Sequence, residues 1–322
     1  MVLIISDEYD LSTSQVIEYL NYYNIKTIRI NPKDKLVLNS GIISNEKIDF
    51  HFTLNDKIEF NISEIHFYWY RRGSIIIHLE KESVSIPDIG WYLIKEYSKF
   101  EEFLNYFLRG KPSLGNIKNV GINKLKVLVT AQQNGLNIPQ TIFVSEKKQI
   151  PQNSRYISKG IFSTINLKYK NKEFIGLTKE ITKNTINLLP DTFVLSMIQN
   201  RIEKKYEIRT FYLEGKFFSM AIFSQNNDKT KEDFRDYDNQ NPNRVIPYNL
   251  SSDIEKKLIN IFTQLNIKTC SCDLIKDIND KIIFLEINPV GQFGMTSYPC
   301  NYYLEKEIAN YIKNKIYEKN FN

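Results

Sequence analysis

Cysteine is scarce: three residues in 322, an odd number. Cys270 and Cys272 are separated by one residue, a spacing that suits neither a disulfide framework nor a zinc knuckle. They read as small buried side chains of a protein in a reducing, cytoplasmic setting. Histidine is as rare: His51, His66 and His78. All three sit in strand-like runs of the N-terminal part and read as structural, and no Ser-His or Cys-His arrangement suggests a nucleophilic dyad. Long apolar runs are missing as well. Nothing approaches the ~20 residues of a membrane span, and the run Met1 to Ser6 reaches Asp7 and Glu8 too soon for a signal peptide. There is no internal repeat and no low-complexity tract.

What is present is an ordinary globular composition, 42% hydrophobic, 25% charged and 13% aromatic, which excludes disorder as the main state. The length allows about two domains and cores that need no cross-link. Net charge is +6, from 43 Lys and Arg against 37 Asp and Glu. The excess is spread along the chain rather than gathered into one arm. That suits an anionic ligand such as a nucleotide or an acidic peptide, and it argues against nucleic acid, which wants a concentrated basic face. Most of these lysines read as solvated surface.

Periodicity gives a β-α-β opening: a strand Val2 to Ser6, a helix from a capping box at Ser12 to Gln15 running to about Tyr23, and a strand Lys26 to Asn31. Short alternating runs follow at Ile48 to Leu54, Lys57 to Asn61 and Ile65 to Arg71, then a helix from about Pro87 to Leu108. A helix from about Asn123 to Asn134, stopped by Gly135, opens a strand-rich stretch with runs at Thr141 to Val144, Arg155 to Lys159, Asn166 to Tyr169, Glu173 to Leu177 and Thr192 to Gln199. Glu214-Gly215 joins Tyr206 to Leu213 and Lys216 to Phe223 as a hairpin. The polar stretch Ser224 to Asn243 reads as a long loop. A second capping box, Ser252 to Glu255, starts a helix to about Asn266. Strands Thr269 to Ile275 and Lys281 to Ile287 flank an Asp277 to Asp280 turn, and an amphipathic helix spans about Tyr302 to Tyr317.

The last strand pair carries the chemistry. Glu286 and Asn288 lie two apart and leave the same face, and Asp273 lies on the strand that the turn pairs with theirs. Three hard oxygen donors on one patch of sheet suit Mg2+, with room for water and phosphate in the remaining positions. The alternative is the polar end of a surface hairpin. Against it, Glu286 is embedded in Ile282-Ile283-Phe284-Leu285-Glu286-Ile287, where a carboxylate is costly without a metal or cationic partner.

Asp273 followed by Phe284-Leu285-Glu286-Ile287-Asn288-Pro289 resembles the magnesium-binding end of the ATP-grasp ligases. Other pieces match in the expected order: Asn123-Lys124-Leu125, Gly135 to Thr141, Tyr156-Ile157-Ser158-Lys159, Gln199-Asn200-Arg201-Ile202, Lys205-Tyr206-Glu207-Ile208-Arg209 and Asp233-Phe234-Arg235. Trp69-Tyr70-Arg71-Arg72-Gly73, Asn288 to Gly294 and Ser297 to Lys306 are similar to the grasp-with-spasm peptide maturases, relatives of the microviridin (graspetide) ligases. The likeness covers almost the whole chain.

The resemblance implies an α/β and α+β ATP-grasp fold in three parts: an N-terminal α/β domain 1–112, a central lobe 113–189 and a C-terminal lobe 190–322 bearing the metal site. It implies ATP and Mg2+ as cofactors. Lys124 and Lys159 would hold the α- and β-phosphates, and backbone groups of Gln199, Asn200, Arg201 and Ile202 would meet adenine. Glu207 would meet the ribose, Arg235 would face the γ-phosphate, and Asp273, Glu286 and Asn288 would bind magnesium. Asn200 stands where many relatives carry a glutamate, and Gly160 to Thr164 lacks the glycine-rich phosphate cover of glutathione-synthetase-like members.

Read without the resemblance, Lys124 is equally an exposed helix lysine, Glu207 a partner for Arg209, and Arg235 a solvated charge. The implied partner is a ribosomal precursor peptide with leader and core, alongside a SPASM-domain protein and a second copy of the chain in a homodimer. The implied reaction phosphorylates Asp or Glu side chains and links them to Ser, Thr or Lys as ω-esters or ω-amides. The competing readings are a ligase for small amino acids or a protein terminus, and a nucleotide-sensing or peptide-binding protein without ligase activity.

Overall fold

Four consecutive buried residues, Val2–Ile5, belong in a strand covered on both faces. The computed structural model describes residues 1–79, 87–162, 166–170, 172–176, 178–225 and 240–318. In it this strand lies inside a parallel sheet ordered Thr27–Ile30, Val2–Ile5, Phe67–Tyr70, Ser113–Leu114. The chain leaves Val2–Ile5 on one side through helix Leu11–Tyr22 and later returns on the other, so the strand order reverses there. The helix is capped by Asp10, not by the expected Ser12 box: Asp10 is the last residue with non-helical dihedrals, and its Oδ1 accepts from the Thr13 N–H at 3.2 Å.

An antiparallel sheet, Leu36–Ile43, Ile48–Leu54 and Ile58–Asn61, shares one core with it through Phe50, Phe52 and Phe60 against Leu3, Ile5, Tyr68 and Tyr70. Strand Leu36–Ile43 was not expected, because its last five residues are exposed and carry no alternation. Helix Pro87–Arg109 adds Leu104 and Leu108 to that core. The terminal helix Leu304–Glu318 packs against Leu11–Tyr22. Contacts divide the chain into Met1–Val120 with everything from Tyr303 onward, and Gly121–Tyr302. No helix among the described residues is long and apolar enough to cross a membrane.

Among its described residues, Gly121–Tyr302 holds three sheets. One is ordered Lys179–Glu180, Tyr156–Ser158, Thr192–Asn200, Thr141–Glu146, and a two-stranded ribbon pairs Asn166–Tyr169 with Lys172–Ile175. The third is antiparallel, ordered Arg244–Tyr248, Lys216–Phe223, Lys204–Leu213, Thr269–Asp277, Ile282–Asn288. Helices Lys124–Gln133 and Ser252–Gln264 cover one of its faces. The hairpin expected at Glu214-Gly215 is present, both residues having positive φ.

The second capping box is corrected by one residue: Ser251 is the cap, its Oγ accepting from Ile254 N–H at 3.4 Å. Several elements were not anticipated, among them strand Lys179–Glu180 and helix Lys183–Leu188. Strand Arg244–Tyr248 emerges from the polar stretch, with Pro247 on the edge of the sheet where a missing N–H is tolerated. Helix Gly294–Cys300 contains Pro299. Most of the expected polar loop, residues 226–239, lies outside the described residues.

Candidate active site

In the five-stranded sheet Arg209 sits opposite Asp273, Asp273 opposite Glu286, and Ser271 opposite Asn288. Alternation then puts Glu207, Arg209, Asp273, Glu286 and Asn288 on one face. Ile208, Cys270, Cys272, Leu274, Phe284 and Ile287 point the other way, into the helix-covered core. Cys270 and Cys272 thus belong to the packing layer, and burial raises both thiols well above their ordinary titration range.

A regular strand cannot do all of this. Phe284 and Ile287 are three apart, so without an irregularity one of them would face the site. A register shift between Asp273 and Leu274 resolves the conflict: Leu274 pairs with Phe284, Asp273 with Glu286, and Leu285 is the extra residue. The bulge keeps both apolar side chains in the core and aims Glu286 at the face of Asp273.

Two carboxylates in directly opposed cross-strand positions repel unless cations intervene. Three do. Arg209 Nη1 donates to both oxygens of Asp273, at 2.9 and 3.1 Å. Lys159 Nζ lies 3.0 Å from Glu286 Oε2, and Lys124 Nζ lies 3.5 Å from the same oxygen. Lys124 is held at the first turn of its helix, where Asn123 Oδ1 accepts from the N–H groups of Leu125 and Lys126. Lys159 immediately follows strand Tyr156–Ser158. Two lysines 35 residues apart in the chain thereby meet one carboxylate.

Glu207 does not pair with Arg209. Its carboxylate takes Lys204 Nζ and, at 2.9 Å, the Ser224 hydroxyl. Burial nevertheless pushes its titration above the usual carboxylate range, the lysine and the hydroxyl acting in the opposite direction. Asn288 Oδ1 accepts from the Val290 N–H at 3.1 Å, which starts the turn after the strand. That turn has room for no side chain at Gly291: an added Cβ would lie 2.4 Å from Ser271 Cβ and 2.9 Å from its backbone nitrogen.

The segment Gln199 to Ile202 leaves strand Thr192–Asn200. Gln199 is buried and donates to Thr141 Oγ1 at 3.0 Å. The Arg201 guanidinium pairs with Glu180 and Glu203, and its backbone N–H donates to Arg155. Ile202 is half-buried at the start of the link to the next strand. Asn200 donates its N–H to Gln140, while its side-chain Oδ1 is buried without a hydrogen-bond partner among the described residues. Arg235, with Asp233 and Phe234, lies outside the described residues, as do Ser163 and Thr164.

Sequence reasoning missed three members of this face. Lys204 and Ser224 bracket Glu207, and Arg209, although noticed beside Glu207, proved to be the partner of Asp273. Only cross-strand register brings these groups together, and register is not written in a local motif.

The donors present fit the groups that the sequence reading implies. Asp273, Glu286 and Asn288 offer hard oxygens on one face, the chemistry Mg2+ selects. Among the described residues no three His, Cys, Asp or Glu side chains gather as a cluster that could hold a metal, and the third oxygen beside Asp273 and Glu286 on this face is the Asn288 amide. The buried Asn200 Oδ1 is an acceptor awaiting an N–H, as an adenine amino group would supply.

No family model and no curated protein sequence matches the chain. Solved structures do. The macrocyclase MdnC from Microcystis aeruginosa MRC, bound with precursor peptide MdnA, superposes with a TM-score of 0.76 at 24% identity, covering 97% of this chain and 99% of that one. A Chryseobacterium gregarium RiPP-associated ATP-grasp ligase, in complex with ADP and a leader and core peptide, gives 0.78 at 22% identity over 99% and 96%. The ATP-grasp ligase PsnB, complexed with minimal precursor, Mg and ADP, gives 0.69 at 9% identity over 98% and 97%.

Proposed function

We propose that this chain, which has the ATP-grasp fold, is an ATP- and Mg2+-dependent ligase acting on a ribosomally made precursor peptide. It transfers the γ-phosphoryl group of ATP to an Asp or Glu side chain, and a Ser or Thr hydroxyl or a Lys amine then displaces phosphate to close an ω-ester or ω-amide link. The observation that carries this reading is the convergence of Lys124 and Lys159 on Glu286, directly across the strand pair from Asp273. Near-full-length likeness to peptide ligases solved with precursor and nucleotide supports it.

The chemistry asks the protein to position groups and neutralise charge, and no protein nucleophile is needed because ATP provides the leaving group. Lys124 and Lys159 release Glu286 and take phosphate oxygens when nucleotide enters. Asp273, Glu286 and Asn288 would hold Mg2+, which would supply neutralisation of the phosphate charge. Asn200 Oδ1 accepts from the adenine amino group, and backbone groups of Gln199, Arg201 and Ile202 line the base. Glu207, kept in place by Lys204 and Ser224, accepts from the ribose. Arg235 is assigned to the transferring phosphoryl group on sequence grounds, and the lobes are taken as 1–112, 113–189 and 190–322.

The test is incubation with ATP, Mg2+ and the peptide encoded beside the gene, followed by mass spectrometry. Loss of one water per link is expected. ATP turnover with free amino acids and no peptide would instead support the small-substrate reading.

A further inference from the structure

Arg201 to Glu203 link strand Thr192–Asn200 of the four-stranded sheet to strand Lys204–Leu213 of the five-stranded one. The link is fastened at both ends. The Arg201 N–H donates to the Arg155 carbonyl at 2.9 Å beside the first sheet. The Glu203 carbonyl accepts from the Ile278 N–H at 3.1 Å, in the turn between strands Thr269–Asp277 and Ile282–Asn288 of the second. Four side chains then close a ring across the link. Arg155 forks onto the two oxygens of Glu180, at 2.6 Å each, and reaches Glu203 Oε1 at 3.0 Å. Arg201 pairs with Glu203 and lies 3.6 Å from Glu180 Oε2. Each guanidinium thus meets both carboxylates, and Glu203 is tied by its backbone to one sheet and by its side chain to the other.

Such a ring is a poor device for stability. Arg155 and Glu203 are 56% and 52% exposed, and ion pairs open to water contribute little. Its geometry matters more. A short connection between two sheets can absorb changes in φ and ψ and so act as a hinge, and a ring of side chains across it fixes the angle. That angle bears on the site. Arg155 and Lys159 flank strand Tyr156–Ser158 at its two ends, about 13 Å apart at about 3.3 Å per residue. Lys159 meets Glu286, which belongs to the other sheet. On a lever of that length a turn of about ten degrees moves Lys159 by about 2 Å. Misplacement of about 1 Å is enough to cost about a hundredfold in rate.

We propose that Arg155 and Glu203 are positioning residues: with Arg201 and Glu180 they form a latch across the link that sets the angle between the sheet leading to Lys159 and the sheet carrying Glu286. Neither touches the reacting groups. Arg155 suits the task because one planar guanidinium serves two carboxylates at once, which a lysine does not. Nucleotide is gripped by Lys159 from one side and by the metal ligands from the other, so the angle shows in nucleotide affinity. That last step rests on the peptide-ligase reading; the latch itself does not.

The experiment follows amide hydrogen exchange of the full chain, residue by residue and without nucleotide, in wild type, Glu203→Gln, Arg155→Gln, Arg155→Lys and Lys257→Gln. The last is the control, since Lys257 pairs with Asp253 at 2.8 Å within one helix and away from the link. Exchange at Arg201 and Ile278 should quicken by on the order of tenfold in Glu203→Gln and Arg155→Gln, and by less in Arg155→Lys, while Lys257→Gln leaves both amides as they are. Exchange unchanged at these two amides, or quickened equally throughout both sheets as general destabilisation would do, overturns the latch. Calorimetric titration with ADP and Mg2+ reads the positioning. Affinity should weaken by roughly tenfold in Glu203→Gln, with Lys257→Gln unaltered; quickened exchange with unaltered ADP affinity overturns the positioning role. ATP-dependent water loss from the precursor is measured in parallel. Its absence in wild type, with the exchange pattern as expected, sinks the ligase reading alone.

Discussion

Lys159 Nζ lies 3.0 Å from Glu286 Oε2, so a proposed phosphate ligand is the ion-pair partner of a proposed metal ligand. Lys124 approaches the same oxygen, and Arg209 covers Asp273. Each carboxylate thus has a cation beside it.

The first prediction follows from that arrangement. Without nucleotide the chain should bind divalent metal weakly, and metal affinity should rise with nucleotide, whose phosphates would draw the lysines away. Replacing both lysines, Lys124→Met with Lys159→Met, should strengthen Mn2+ binding to the nucleotide-free protein by roughly tenfold, equivalent to about 1.4 kcal/mol. The same change should weaken ATP binding. Electron paramagnetic resonance of free Mn2+ reads the first effect, and a double variant with unchanged Mn2+ affinity would count against the exchange of partners.

Glu286→Gln keeps the shape and removes the charge. Turnover should fall by about a hundredfold or more, the scale of losing a group that stabilises charge in transfer. Thermal unfolding should move down modestly, because the bulge and core are untouched while Lys124 and Lys159 lose a charged partner. Retained turnover would refute the metal assignment.

Gly291→Ala brings a Cβ to 2.9 Å from the Ser271 backbone nitrogen. Backbone cannot step aside as a flexible side chain can, so the turn after Asn288 must shift. A loss of about 1–3 kcal/mol in denaturant unfolding is expected. A variant as stable as wild type would show that the turn yields freely.

Glu207 carries a pH signature. Its folded-state titration is raised by burial, so the native protein holds this proton more tightly than the unfolded chain does. Stability from this group is therefore present below the unfolded value of about 4.5 and declines as pH rises above it. Glu207→Gln has no such decline. The stability of wild type minus that of Glu207→Gln should decrease between pH 5 and pH 7 in urea titrations; an increase over that interval would mean that Lys204 and Ser224 outweigh burial.

Much of this was legible beforehand, and what was not has a common cause. Ile48–Leu54 and Lys216–Phe223 have the bounds that alternation predicts, and the spacing of Asp273, Glu286 and Asn288 announces one oxygen-rich face. The bulge at Leu285 was invisible, because an extra residue shows only against a partner strand. The same holds for Arg209 opposite Asp273 and for Lys204 beside Glu207. Strand Leu36–Ile43 was missed for another reason: its outer half is solvated and carries Asn39, Ser40 and Gly41, so cross-strand hydrogen bonds rather than side-chain pattern define it. Both caps were displaced by one or two residues, to Asp10 and Ser251, since the cap is chosen by backbone dihedrals and not by motif alone.

The central claim is that ATP activates a peptide carboxylate by phosphorylating it. The most direct measurement labels the precursor's Asp and Glu carboxylates with 18O and follows the phosphate released with ADP. One 18O should appear in inorganic phosphate for each link formed. Unlabelled phosphate, or AMP with pyrophosphate in place of ADP with phosphate, would contradict the account.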